Sequence, residues 1–248
     1  MIDCSPLEVI NLGRCFDSFW AVRSLNFRLE HGEIYGFLGP NGAGKSTTMK
    51  MITGLLRPTE GHVRLFGMNP YESEIETKRL IGVVPEHLQM YDRLTGREFL
   101  EFAARMYEVG EKQYNDKIEE LLHLLDLSSK ADVQIKDYSN GMRKKTALAG
   151  ALLHSPKILF LDEPFTGMDA MSVIKVRRLI KNLCDQGTTI FFSSHILEVV
   201  EKLCNRIGII VNGNLREEGT AQQMLENYHV KTLEELFLSL APTEDLRG

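Results

Sequence analysis

Gly39-Pro40-Asn41-Gly42-Ala43-Gly44-Lys45-Ser46 is the stretch from which the rest of the chain can be read. Gly39, Gly42 and Gly44 free the backbone to curl until successive N–H groups point inward at an anion. Upstream, Glu33–Leu38 reads as a strand, and downstream Lys45–Leu55 reads as a helix whose N-terminus faces the curl. Lys45 adds a point charge suited to β- and γ-phosphates, the Ser46 hydroxyl can ligate Mg2+, and Thr47 falls near an α-phosphate. Asn41, Gly42, Ala43, Gly44, Lys45, Ser46 and Thr47 are therefore the candidate residues for a nucleoside triphosphate.

A phosphate cradle of this kind needs an acidic partner on a buried strand. Ile158-Leu159-Phe160-Leu161-Asp162-Glu163 supplies an apolar run that ends in two carboxylates. Asp162 can hold Mg2+ and Glu163 can polarise an attacking water. This run and Thr189-Ile190-Phe191-Phe192 are apolar at consecutive positions, as strands covered on both faces are. Val9–Leu12, Gly32–Leu38, His62–Phe66, Ile81–Val84, Ile158–Leu161, Thr189–Ser193 and Ile207–Val211 read as strands, interleaved with helices over Lys45–Leu55, Gly141–Leu153 and Ala170–Cys184. From about Tyr91 to Lys136 the signals are helical, notably Arg97–Tyr107 and Tyr114–Leu125, so a helical insertion is expected. Asn212–Gly219 reads as a turn and edge strand, Thr220–Leu240 as two amphipathic helices, and 241–248 as a frayed tail.

Composition bounds these readings. With 248 residues, 43% of them hydrophobic, the chain can bury a sizeable core without covalent staples. A net charge of −5 argues against a broad basic face for nucleic acid. No apolar run approaches the ~18 residues of a membrane span, and Met1-Ile2-Asp3-Cys4 opens no secretory leader, so an intracellular chain is expected. Cys4, Cys15, Cys184 and Cys204 are too scattered for a metal knuckle and are expected to be reduced and mostly buried. The seven histidines lack the spacing of a zinc site.

Tyr138-Ser139-Asn140-Gly141-Met142, placed before the acidic strand, resembles the LSGGQ signature of the ATP-binding-cassette (ABC) ATPases. Ser139 is also a good N-cap for the helix that follows. The resemblance runs from about Leu7 to Leu240. It implies an α/β phosphate-loop fold with a mostly parallel sheet, an N-terminal antiparallel β region and an inserted helical subdomain. A RecA-like core is expected over about 1–86 and 155–220, the helical subdomain over about 87–154, and C-terminal helices over 221–240. It further implies that Ser139 and Gly141 complete the ATP site of a second protomer. Asp169, in Gly167-Met168-Asp169, resembles the D-loop of the dimer interface. Glu86 holds the position of the glutamine that touches Mg2+, and His195 resembles the switch histidine. Phe16, with Val22 beyond it, resembles the aromatic position that stacks on adenine.

Three departures from the family pattern bear on activity. Asn140 replaces a glycine, though asparagine tolerates a left-handed, positive-φ backbone better than most residues, Met142 replaces a glutamine, and Glu86 carries a charge where an amide is usual. Lys45, Asp162, Glu163 and His195 are all present, so hydrolysis of ATP with Mg2+ is expected. Ser139-containing YSNGM and the tail Thr232–Leu238 resemble ATPases of ABC-2-type exporters. The resemblance thus implies a head-to-tail dimer, with itself or a paralogue, that drives a separate permease from the cytoplasmic face of the membrane. A soluble cassette ATPase of DNA repair or translation is a competing reading, but the paired cassettes, coiled coils or zinc modules it usually carries are absent from this sequence. A phosphate-loop kinase or GTPase competes less well, since no NKxD motif occurs and Ser139 and His195 would go unexplained.

Overall fold

The computed structural model describes residues 4–240. The expected frayed tail at 241–248 lies outside the described residues. In chain order the elements are β1 (Leu7–Phe16), β2 (Phe19–Leu29), β3 (Ile34–Leu38), α1 (Lys45–Ile52), β4 (Glu60–Leu65), α2 (Glu74–Leu80) and β5 (Ile81–Val84). The helices α3 (Gly96–Met106), α4 (Glu111–Leu124) and α5 (Asn140–Leu152) follow without an intervening strand. The chain then runs through β6 (Ile158–Asp162), α6 (Ala170–Asp185), β7 (Thr189–Ser194), α7 (Leu197–Leu203), β8 (Arg206–Val211), β9 (Asn214–Gly219), α8 (Ala221–Tyr228) and α9 (Leu233–Leu240).

Two sheets organise these elements. The larger has the order β5-β6-β7-β3-β8-β9, parallel throughout except for β9, which returns antiparallel along β8. The smaller is antiparallel, with β1 between β2 and β4. Every residue of β3, β6 and β7 is buried, and alternate side chains enter two separate cores. Tyr35, Phe37, Phe160 and Phe191 face the small sheet, where Phe27 stacks with Tyr35, Phe37 and Phe191. Ile34, Leu38, Leu159, Leu161, Ile190 and Phe192 face the opposite side, in one core with residues of α3, α4, α5 and α6. Burial on both faces accounts for the unbroken apolar runs.

Some elements differ from the sequence reading. β2 carries Ser24 at φ +50, and its pairing with β1 shifts register there, so its inward residues Val22, Leu25, Phe27 and Leu29 do not alternate strictly. The short α2 and α7 were not anticipated, because seven residues give little periodicity and α2 buries only Thr77. The four cysteines are free thiols; Cys4 is exposed and Cys15 and Cys184 are half-buried, so the expectation of mostly buried thiols holds only for Cys204, whose Sγ packs against Gly36 of β3 and whose pKa burial pushes up. Among the described residues no helix is long and apolar enough to cross a membrane.

Candidate nucleotide site

The carboxyl ends of three neighbouring strands, β6, β7 and β3, bring the candidate residues together, the edge where open parallel sheets bind ligands. β3 runs into the glycine loop and α1. Gly44 sits at φ +103, and a Cβ there would lie 2.5 Å from the Ala21 carbonyl oxygen. A Cβ on Gly39 would lie 2.5 Å from the Ile210 carbonyl oxygen. Glycine at these two positions is thus a requirement of close backbone approach. Lys45 is buried and folds back over the loop, donating to the carbonyls of Gly39 at 2.7 Å and Pro40 at 3.1 Å.

Glu163 follows the last residue of β6 and adopts φ +47, an uncommon conformation for a glutamate. Its N–H donates to Ser193 Oγ at 3.1 Å, and Ser193 in turn donates to Asp162 Oδ1 at 2.5 Å. The side chain is 4% exposed as a residue, yet its Oε1 accepts no well-aligned hydrogen bond. That oxygen lies 3.3 Å from Lys45 Nζ and 3.0 Å from His195 Nδ1. The ammonium at the start of α1 and the imidazole just after β7 thus converge on one carboxylate oxygen just after β6.

Around them is a cleft of about 440 Å³ whose wall includes Phe16, Phe19, Asn41, Ser46, Glu86 and Glu163. Gly42, Gly44, Lys45 and Thr47 also line it, whereas Ala43 is buried behind it. The mouth carries two aromatic rings, since Phe16 pairs with Phe19 across the β1–β2 turn. The Arg14 guanidinium lies 4.7 Å from the Phe16 ring centroid. Val22, expected at the base-binding position, is fully buried and lies off the wall. The inward phase of β2 puts Val22 beneath the loop, against Gly44, and turns Ala21 and Phe19 to the cleft instead.

Hard oxygen donors suited to Mg2+ are grouped at the inner end. Ser46 Oγ donates to Glu86 Oε2 at 3.5 Å, and the buried carboxylates of Asp162 and Glu163 lie on the neighbouring strand end. Mg2+ takes one or two carboxylates and completes its shell with phosphate and water, so this donor set fits. Among the described residues no group of three or more histidines, cysteines or carboxylates forms a cage by itself.

Ser139, Gly141 and Asp169 do not line this cleft. Ser139 caps α5, accepting from Met142 N–H at 3.2 Å, and leaves the helix N-terminus at the surface. Asp169 caps α6 in the same way, accepting from Ser172 N–H at 2.9 Å and its hydroxyl at 2.6 Å, and these bonds hold its carboxyl below the usual range. Gly141 faces Gly167 and Met168, so the signature and D-loop segments pack together within the chain. Asn140 lies in the first turn of α5 and is not among the residues at positive φ, so its replacement of glycine strains nothing. Phe19, Ser193 and Lys144 escaped the sequence reading. Lys144 was detectable as a lysine within the Gly141, Lys144, Leu148, Leu152 stripe of α5, whose members are all buried.

The profile of the family described as "ABC transporter" matches residues 22–166, which include the loop, the signature and the acidic strand. The chain belongs to this family. An uncharacterized ABC transporter ATP-binding protein of Synechocystis is 37% identical over 91% of this chain and 66% of its own length. The bacitracin transport ATP-binding protein of Bacillus licheniformis is 39% identical over 86% of the chain and 69% of its own. The linearmycin resistance ATP-binding protein of Bacillus subtilis is 34% identical over 94% and 75% respectively. The chain thus spans about two thirds to three quarters of these relatives. A solved ATP binding subunit of an ABC transporter superposes with a TM-score of 0.90 at 29% identity, over 95% of this chain and 99% of that one.

This ABC ATP-binding chain has a second hollow of about 430 Å³, where α3 of the helical insertion meets α2 and β5. Leu55, Ile75 and Met106 line it while 64%, 66% and 69% exposed.

Proposed function

We propose that the chain is the ATP-hydrolysing subunit of an ABC exporter, working as a head-to-tail dimer on a separate membrane permease. The observation that carries this reading is the convergence of Lys45 and His195 on one buried Glu163 oxygen beside the glycine loop. In this reading Lys45 exchanges its loop carbonyls for the β- and γ-phosphates of ATP, whose base stacks on Phe16. Ser46, Glu86 and Asp162 would hold Mg2+, which when bound neutralises phosphate charge. Glu163, freed from Lys45, takes a proton from the attacking water, and His195 stabilises the charge that develops. Ser139 and Asp169 serve the cleft of the partner protomer, which their position away from their own cleft supports.

The open apolar hollow of Leu55, Ile75 and Met106 supports a docked permease, which would hold this chain at the cytoplasmic face of the membrane. Export is supported by the bacitracin transport and linearmycin resistance named for two relatives. The test is purification through a tag on this chain, with turnover followed against protein concentration. Co-purification of a multi-span membrane protein and a rate that rises faster than linearly are expected. Turnover strictly proportional to the concentration of a monomer would overturn the dimer.

A further inference from the structure

Lys144 lies on α5, five residues beyond the capping Ser139, and is only 8% exposed. A buried lysine is costly unless it is bonded and charge-compensated. Its Nζ donates to the main-chain carbonyl of Glu163 at 2.5 Å. Burial pulls its pKa below the ordinary lysine value, and the nearby carboxylates of Glu163, Glu86 and Asp162 oppose that shift. Glu163 is therefore gripped at both ends of its own residue. Ser193 holds the N–H, Lys144 holds the carbonyl, and between them the backbone keeps φ +47.

We infer that Lys144 is a positioning residue for Glu163: by bonding the Glu163 carbonyl from the signature helix, it fixes where the Glu163 carboxylate points and ties that aim to the position of Ser139. The inference rests on the assignment of Glu163 as base in the proposed function. Two features make the bond more than packing. The left-handed φ of Glu163 persists only while its surroundings fix it, and the carbonyl bond is one of the two that hold the backbone from which the carboxylate projects. The donor also comes from α5, whose capped N-terminus is the part of this chain assigned to the partner's ATP. A shift of α5 when that ATP arrives would move Lys144 and, through it, Glu163. The site would then be set for chemistry only when both protomers are in place.

The experiment compares Lys144→Met, which keeps length and apolar stem, with Lys144→Arg, which keeps a cationic donor. ATP affinity, kcat and KM are measured on the full chain, with thermal unfolding as a control. Loss of aim costs turnover and not binding, so Lys144→Met should lower kcat by at least about tenfold with KM little changed. Lys144→Arg should restore kcat to within about threefold of wild type. Should Lys144→Met fail to fold, Lys144→Gln replaces it, with a kcat loss of about threefold as the criterion. Wild-type kcat in the uncharged variant, or equal losses of kcat and ATP affinity in the Met and Arg variants, would overturn the inference. A wild-type chain that hydrolyses ATP, with Glu163→Gln inactive and Lys144→Met unaffected, would remove this inference alone. Absence of turnover in the wild type would remove the proposed function and this inference with it.

Discussion

His195 Nδ1 stands 3.0 Å from Glu163 Oε1, an oxygen that accepts no aligned hydrogen bond. The imidazole comes from the end of β7 and the carboxylate from the end of β6, and those strands are hydrogen-bonded in register up to Asp162 and Ser193. Sheet register therefore sets the spacing of the pair. Replacing His195 with alanine should leave ATP binding intact and lower kcat by about 10²–10⁴, the usual size of a positioned acid–base or charge-stabilising group. Steady-state kinetics with a parallel binding titration check this, and a kcat within about twofold of wild type would remove His195 from the mechanism.

Phe16 should govern affinity and not rate. Its ring stands at the mouth of the cleft, backed by Arg14, whereas the wall residues proposed to meet phosphate are those of the glycine loop. Stacking a base on an aromatic ring contributes about 1–3 kcal/mol, so Phe16→Ala should raise KM for ATP about tenfold with kcat preserved. Phe19 on the same wall limits the loss. An unchanged KM would mean that the base sits elsewhere.

The sequence was most informative where chemistry demands a fixed spacing, and less so where tertiary approach decides. The glycine loop, the acidic strand end and His195 were legible because each depends on residue type within a few positions. Burial on both faces made β6 and β7 legible as central strands. The fate of Val22 was not, because the bulge at Ser24 shifts the phase of β2. Nor was the grip of Lys144 on a carbonyl nineteen residues away, since a main-chain acceptor has no signature in residue type. Asn140 shows the reverse case, where a departure that seemed to need left-handed backbone fits an ordinary helical turn.

Away from the cleft, Arg206 offers a pH-dependent test of stability. Its guanidinium donates to Glu33 at 3.1 and 3.2 Å and to Glu218 at 2.5 Å, and Tyr35 donates to Glu218 at 3.1 Å. Burial pushes both carboxyls up and Arg206 opposes that rise. Arg206→Met should raise both further. A carboxyl raised in the folded state favours folding at low pH, and that contribution is lost as pH rises through the folded value. The variant should therefore be destabilised most at about pH 8, by about 2 kcal/mol given the partial exposure of Arg206, and less at about pH 5. Unfolding curves at both pH values decide, and a pH-independent loss would show that packing alone was removed.

If Ser139 serves the partner's cleft, two inactive chains should complement each other. Lys45→Ala disables the cleft of its own chain, while Ser139→Ala disables the surface it presents, along with a helix cap contributing about 1 kcal/mol. Mixed in equal amounts, they form a dimer in which one site combines an intact glycine loop with an intact Ser139. ATPase activity should reappear on mixing, and a mixture as inactive as its components would argue against shared sites.

Glu163→Gln tests the base itself. The glutamine keeps the shape of the side chain and, by keeping the main chain, the bonds to Ser193 and Lys144. It removes the charge that holds Lys45 at 3.3 Å and the basicity needed to take a proton from water. Lys45 is then freer to meet phosphate, so ATP affinity should hold or rise while turnover falls by about 10²–10⁴. If ATP draws the two chains together and its hydrolysis releases them, the variant should accumulate as an ATP-bound dimer on size-exclusion chromatography. ATP added to wild type should give that species only transiently. Turnover close to wild type in the variant would sink the assignment of Glu163, and a monomer at saturating ATP would sever hydrolysis from dimer release.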